Sequence, residues 1–232
     1  MTHVLEVTDV SKSFTMHLRG GVVLPVVRDV SFSVNAGECV VLAGPSGIGK
    51  SSILKMIFGS YRCDAGAIRI HHAPHATDVT QAAPREIIVL RKRVIAYVSQ
   101  FLRAVPRVAA LDVAAEPLIA SGTARDAARD RAANLLNYLN VPERLRELPP
   151  ATFSGGEQQR VNIARGFVGE HRLLLLDEPT ASLDAENRAA VVRLINERKR
   201  RGAAMLAIVH DLDVRDAIAD RLIDVSAFAA AA

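Results

Sequence analysis

Gly44-Pro45-Ser46-Gly47-Ile48-Gly49-Lys50-Ser51 reads as glycine, four residues, then Gly-Lys-Ser, with Ser52 continuing into a helical pattern. That spacing suits a polyphosphate. Glycines let the backbone wrap a phosphate, and the loop amides and helix N-terminus donate to its oxygens. Lys50 reaches the outer phosphates, and Ser51 is placed to ligate magnesium. Leu173-Leu174-Leu175-Leu176-Asp177-Glu178 supplies the complementary chemistry. An apolar strand delivers two carboxylates, Asp177 to hold magnesium and Glu178 to polarise an attacking water. Phe153-Ser154-Gly155-Gly156-Glu157-Gln158-Gln159-Arg160 adds a Ser-Gly-Gly turn opening a helix expected over Gln158 to Phe167. On its own this would be a helix cap; behind a phosphate loop it reads as a second anion-binding helix end.

Strands and helices must position these groups. Val4 to Val7 alternates, Arg19-Gly20-Gly21 signals a turn, Val22 to Val27 is extended around Pro25, and Val30 to Val34 alternates again. Glu38 to Ala43 and Val94 to Val98 are apolar enough to be strands buried on both faces. Ser51 to Tyr61 places Ile53, Leu54, Ile57 and Phe58 on one helical stripe. Residues 71 to 86, with three His and two Pro, are expected to form a surface loop leading into Ile87 to Leu90. From Ala124 to Asn140, Ala128, Ala132, Leu135 and Leu139 recur at helical spacing. The last third alternates strand, helix and strand: Leu173 to Leu176, a helix burying Val191, Leu194 and Ile195, then Met205 to Val209. That order argues a parallel sheet with crossover helices. Ala229 to Ala232 is expected to fray.

Composition narrows the function class. Of 232 residues, 50% are hydrophobic and 4% aromatic, with 29 Lys and Arg against 25 Asp and Glu. A chain of this kind buries a real core, which excludes disorder. Its longest run without a charged side chain, Cys39 to Gly49, is 11 residues, short of the roughly 20 that cross a bilayer. Met1 to Val7 lacks a signal peptide's basic and apolar regions, so a cytoplasmic location is expected. The net charge of +4 comes with no Trp and basic residues spread along the chain, which argues against direct nucleic-acid binding. Cys39 and Cys63 are read as reduced, buried small hydrophobes. His71, His72 and His75 lack a neighbouring acidic or cysteine complement in the sequence, so no metal site is assigned there.

The phosphate loop, the Ser-Gly-Gly turn and the Asp-Glu strand, in that order along the chain, resemble the ATP-binding-cassette ATPases, and the resemblance runs from about Val4 to Asp224. The resemblance implies an α/β P-loop NTPase domain spanning 1–232. Its RecA-like, mostly parallel sheet carries an N-terminal antiparallel β subdomain and a helical insert. The nucleotide-binding core would take residues 1–100 and about 161–232, the helical subdomain about 101–160. It further implies that Ser154, Gly155, Gly156 and Glu157 form a signature turn that contacts the γ-phosphate held by a partner's Lys50. Gln100 matches the glutamine that senses magnesium and the attacking water, and would join Ser51 and Asp177 as a magnesium ligand. Ser182-Leu183-Asp184 resembles the loop that signals between sites, His210 the switch histidine, and Phe14 the aromatic residue stacked on adenine. ATP and Mg2+ are the implied ligands, and a homodimer, or a heterodimer with a related ATPase, is the implied assembly. Two positions depart from the pattern: Ile48 stands where the loop residue is usually small, and Glu157 where glutamine is common.

Gln100-Phe101-Leu102-Arg103, followed by Pro106-Arg107, resembles the L-type ATPase subunits of the bacterial carbon-phosphorus lyase system, which degrades phosphonates. Leu24-Pro25-Val26, Val34 to Leu42, Leu139 to Leu145 and Thr152 to Phe167 carry the same resemblance. It implies soluble lyase subunits as partners. The assembly would convert phosphonate and ATP to ribose 1-phosphonate 5-triphosphate with release of adenine. Two alternatives stand beside it: the ATPase of a membrane transporter, and a nucleotide-gated scaffold with little turnover.

Overall fold

A computed structural model describes residues 3–16, 18, 20–102 and 106–229. Arg19, Arg103 and Ala230 to Ala232, all cited above, lie outside the described residues. Two long strands open the chain, β1 (His3–Met16) and β2 (Val22–Asn35), paired antiparallel. They are joined through Gly20 and Gly21, whose φ angles of 68° and 78° a side chain would resist. The two shorter strands expected between Val22 and Val34 are therefore one strand. Asp29, at positive φ like Asp9 of β1, bends it without ending it, and the register shifts on either side of the Val10–Val30 pair. Pro25 is tolerated because β2 lies at the sheet edge.

The segment 71–86 is not a loop. β4 (Ala65–His72) pairs with β1, and β5 (His75–Asp78) turns back on β4, giving a four-stranded sheet in the order β2-β1-β4-β5. The strands escape the composition because only Ile68 and Ile70 of β4 face the core; the rest is small or polar. His72 Nε2 and Thr77 Oγ1 bond across the hairpin at 2.9 Å. His71 lies 3.1 Å from the Glu6 carboxylate, an acidic neighbour supplied by β1. Ile87 to Leu90 belongs to α2 (Pro84–Arg93), of which only Leu90 is buried.

The second sheet is parallel, with β6 (Ile95–Val98), β7 (Leu173–Asp177), β8 (Ala204–Ile208), β3 (Cys39–Ala43) and β9 (Arg221–Asp224) side by side in that order. The four strands β6, β7, β8 and β3 are almost wholly apolar because both faces are covered, whereas the edge strand β9 buries only Ile223. Val40, Leu42, Leu173 and Leu175 face a core shared with the antiparallel sheet and α1 (Lys50–Ile57). Cys39, Val41, Leu174 and Leu176 face the other core. That one is shared with α3 (Ala110–Ala120), α4 (Arg125–Tyr138), α6 (Gly155–Phe167) and α7 (Ala185–Arg200). Each fully buried leucine of β7 contributes about 1.5–3 kcal/mol by leaving water. The stripe on α4 runs through Ala128, Ala132 and Leu136, with Leu135 only partly covered. Two short helices, α5 (Glu143–Arg146) and α8 (Leu212–Ile218), complete the set. Cys39 is buried and its thiol is pushed up to about 12 by desolvation; Cys63 is only part-buried, which corrects the expectation.

Candidate active site

The loop after β3 is built on three left-handed glycines, Gly44 (φ 124°), Gly47 (φ 82°) and Gly49 (φ 106°). Gly49 is required twice over, since a Cβ there would lie 2.7 Å from Val27 Cγ1 in β2. It also caps α1, whose first turn carries neither a side-chain cap nor an acidic residue. The amides at that end remain available to an anion, and the dipole favours one. Lys50 is buried, and its ammonium donates to the carbonyls of Gly44 (2.7 Å) and Pro45 (2.8 Å). Two of its three protons tie down the loop, which leaves one for a phosphate oxygen. Burial lowers the Lys50 pKa, and the charges of Glu178 and Asp177 offset part of that. Pro45 and Ser46 are exposed at the loop's rim, and Ser52 lies in the first turn of α1. Ile48 packs its side chain against the core, so the departure from a small residue stiffens the loop and leaves its amides alone.

β7 delivers the carboxylates beside this loop. Ser51 Oγ donates to Asp177 Oδ1 at 3.0 Å, and the Tyr97 hydroxyl donates to Oδ2 at 2.8 Å. Glu178 follows at φ 51°, anchored by its N–H to the Ile208 carbonyl at 3.0 Å. Its two oxygens are each taken: Gln100 Nε2 donates to Oε2 at 3.2 Å, and His210 Nε2 lies 2.9 Å from Oε1. Gln100 follows β6 and His210 follows β8, the strands on either side of β7. Sheet order thus brings together three residues far apart in sequence.

The signature turn is helical from its first glycine. α6 begins at Gly155, with Ser154 as its cap, so the helix starts three residues earlier than the sequence implies. Ser154 Oγ accepts from the Glu157 N–H (3.3 Å), and the Glu157 carboxylate accepts from the Ser154 N–H (2.9 Å). Glu157 fills that box as a glutamine could, and the Ser154 donors hold its carboxyl below the usual range. Ser154 and Gly155 are exposed. Gly156 packs against the backbone of Ser182, where a Cβ would lie 2.8 Å from the carbonyl oxygen. Leu183 is buried, and Asp184 caps α7 by accepting from the Asn187 N–H at 2.9 Å. Phe14 is 36% exposed, edge-on to Tyr61 with ring centres 5.3 Å apart.

Tyr97, Gln159 and Asn162 escaped the sequence reading. Gln159 donates to the Pro179 carbonyl (3.1 Å) and Asn162 to the Ser99 carbonyl (2.6 Å), tying α6 to the segments that carry Glu178 and Gln100. Their signal is the i, i+3 spacing of two amides on a buried helix face. The signal of Tyr97 is a polar tip in an otherwise apolar strand.

Residues 27–181 match the family model described as ABC transporter. The chain belongs to the ABC transporter family. It is an ATP-binding, ATP-hydrolysing cassette. The lipoprotein-releasing system ATP-binding protein LolD 2 of Caulobacter vibrioides is 38% identical over 192 residues, 82% of each chain. The macrolide export ATP-binding/permease protein MacB of Marinobacter nauticus is 33% identical over 211 residues, 91% of this chain. This cassette spans about a third of the length of the MacB proteins it matches, 32% in that case. The cassette MJ0796, solved as a dimer in a post-hydrolysis state bound to ADP and Pi, superposes with a TM-score of 0.86 at 26% identity. The match covers 95% of this chain and 94% of MJ0796.

Proposed function

We propose that this ABC cassette is the ATPase subunit of a membrane transporter, working as a head-to-tail pair with ATP held between protomers. The observation that carries the hydrolytic part is the convergence of Gln100 and His210 on the two oxygens of Glu178. The backbone N–H groups of the loop from Ser46 to Ser52 and the Lys50 ammonium bind the phosphates, and Phe14 stacks on adenine. Glu178 orients a water for in-line attack on the γ-phosphorus and accepts its proton. The bond from that phosphorus to the bridging oxygen breaks, leaving ADP and phosphate. His210 and Gln100 hold Glu178 to that geometry. Ser154 and the amides of Gly155 and Gly156 stabilise the γ-phosphate bound by Lys50 of the second protomer. Ser182 to Asp184, packed on Gly156, register that closure.

Ser51 Oγ and the Asp177 carboxylate are hard oxygen donors side by side, a set that fits magnesium completed by phosphate oxygens and water. They would hold it together with Gln100; when bound, it neutralises phosphate charge.

Transport is supported by the kinship with LolD and MacB, and by a groove of about 640 Å³ beside Gln100, lined by Phe58, Ile88, Phe101 and Pro117. Phe101, 72% exposed, offers a membrane-domain segment an apolar contact. No helix among the described residues is long and apolar enough to cross a membrane; in this reading the membrane-spanning part is a separate segment or subunit, with the cassette on its cytosolic side.

A second reading, service to carbon-phosphorus lyase, is favoured by the resemblance of Gln100 to Arg107 and of Thr152 to Phe167 to its L-type subunits. Purification of the Glu178→Gln protein with ATP separates the two. A polytopic membrane protein in the complex supports the first, and soluble lyase subunits support the second. Undiminished phosphate release by the purified variant would overturn the role of Glu178 in both.

A further inference from the structure

We infer that Tyr97 is a positioning residue for the magnesium site, fixing the carboxylate of Asp177 through its phenol. The inference rests on the proposed role of Asp177 as a magnesium ligand. Parallel pairing sets Tyr97 of β6 opposite Leu175 of β7. Leu175 and Asp177 share a face, so a side chain of tyrosine length reaches the carboxylate at the strand's end. There the hydroxyl donates to Oδ2 at 2.8 Å while Ser51 Oγ donates to Oδ1 at 3.0 Å. With one oxygen bonded to each neighbour, the carboxylate plane is fixed and Oδ1 faces Ser51.

The phenol is itself held. Its ring lies 5.2 Å from the Phe58 ring at 36°. Above Phe58 sits the Arg91 guanidinium, 4.3 Å from the ring centre, with Nε donating to the Phe58 carbonyl at 2.9 Å. This stack fills the space with aromatic surface and needs no hydroxyl. Phenylalanine would keep the packing on Phe58 and lose the bond to Asp177. Outer partners that orient metal-binding carboxylates raise metal affinity by restricting the ligand before the ion arrives.

The test is equilibrium binding of a fluorescent ADP analogue to the full chain, in EDTA and across a MgCl2 titration, for parent, Tyr97→Phe and Asp177→Asn. Tyr97→Phe keeps the ring on Phe58, so metal-free affinity is expected within about twofold of the parent. The magnesium concentration for half-maximal enhancement rises about tenfold. Mn2+ bound in place of magnesium, followed by its paramagnetic resonance, should weaken by the same factor. A Tyr97→Phe titration matching the parent while Asp177→Asn is weakened overturns the inference and leaves the ligand role of Asp177 standing. If Asp177→Asn also matches the parent, the ligand role fails and the inference falls with it. Equal losses with and without metal in Tyr97→Phe would mark the phenol as structural and likewise overturn it.

Discussion

Gly155 separates the two-protomer site from a purely structural turn. It is the first residue of α6, exposed, and a Cβ built on it meets nothing within 4 Å. Within one protomer, alanine there has no steric cost. By helix propensity it stabilises the chain by up to about 1 kcal/mol. For a chain of this size that raises the melting temperature by about 2–4 °C. If the turn must close on a phosphate held by a second protomer, the methyl group stands between amide and phosphate oxygen. Loss of one such donor lowers turnover about 100-fold or more. Stability and activity therefore move in opposite directions. Gly156→Ala is the contrast: its Cβ would lie 2.8 Å from the Ser182 carbonyl oxygen, a backbone atom unable to rotate away. Overpacking of that kind costs about 1–3 kcal/mol, so this variant loses stability as well. Thermal melting and phosphate release at saturating ATP measure both effects. Full turnover by Gly155→Ala would refute the reasoning.

Replacing Lys50 with alanine removes the ammonium bridging the Gly44 and Pro45 carbonyls, and nucleotide affinity measured by fluorescence titration should fall more than about tenfold. Gly166→Ala drives a methyl into the Val98 side chain where α6 crosses β6; calorimetry should show a loss of about 1–3 kcal/mol. Burial, and then the charge of Arg198, hold the His171 imidazole below its ordinary 6.5, which favours the neutral ring in the folded chain. The unfolded chain binds the extra proton as pH falls below that value, which removes stability on the acid side. His171→Gln should accordingly flatten the fall in urea midpoint between about pH 7.5 and about pH 5.5; an unchanged slope would contradict this.

Legibility in the sequence followed burial. Strands covered on both faces, such as β7 over Leu173 to Leu176 and β3 over Cys39 to Ala43, announce themselves because every position there is apolar. The β4-β5 hairpin does not, since two isoleucines anchor it while His72 and Thr77 bond across the turn. The phosphate loop was readable as spacing because its conformation forces glycine at fixed positions. The early start of α6 was not, because Gly155 and Gly156 resemble a turn until the Ser154–Glu157 cap and the packing on Ser182 are seen. Gln100 and His210 were placed by resemblance. Only strand order explains why both meet Glu178, and pairing of β6 with β7 is likewise what exposes Tyr97 as a partner of Asp177.

A crystal structure of the Glu178→Gln protein with ATP tests the central claim most directly. The account predicts a pair of protomers in which Ser154 Oγ and the Gly156 amide lie within hydrogen-bond reach of a γ-phosphate cradled by the other protomer's Lys50 loop. A nucleotide-filled assembly whose Ser154 turns all face away from phosphate would contradict it.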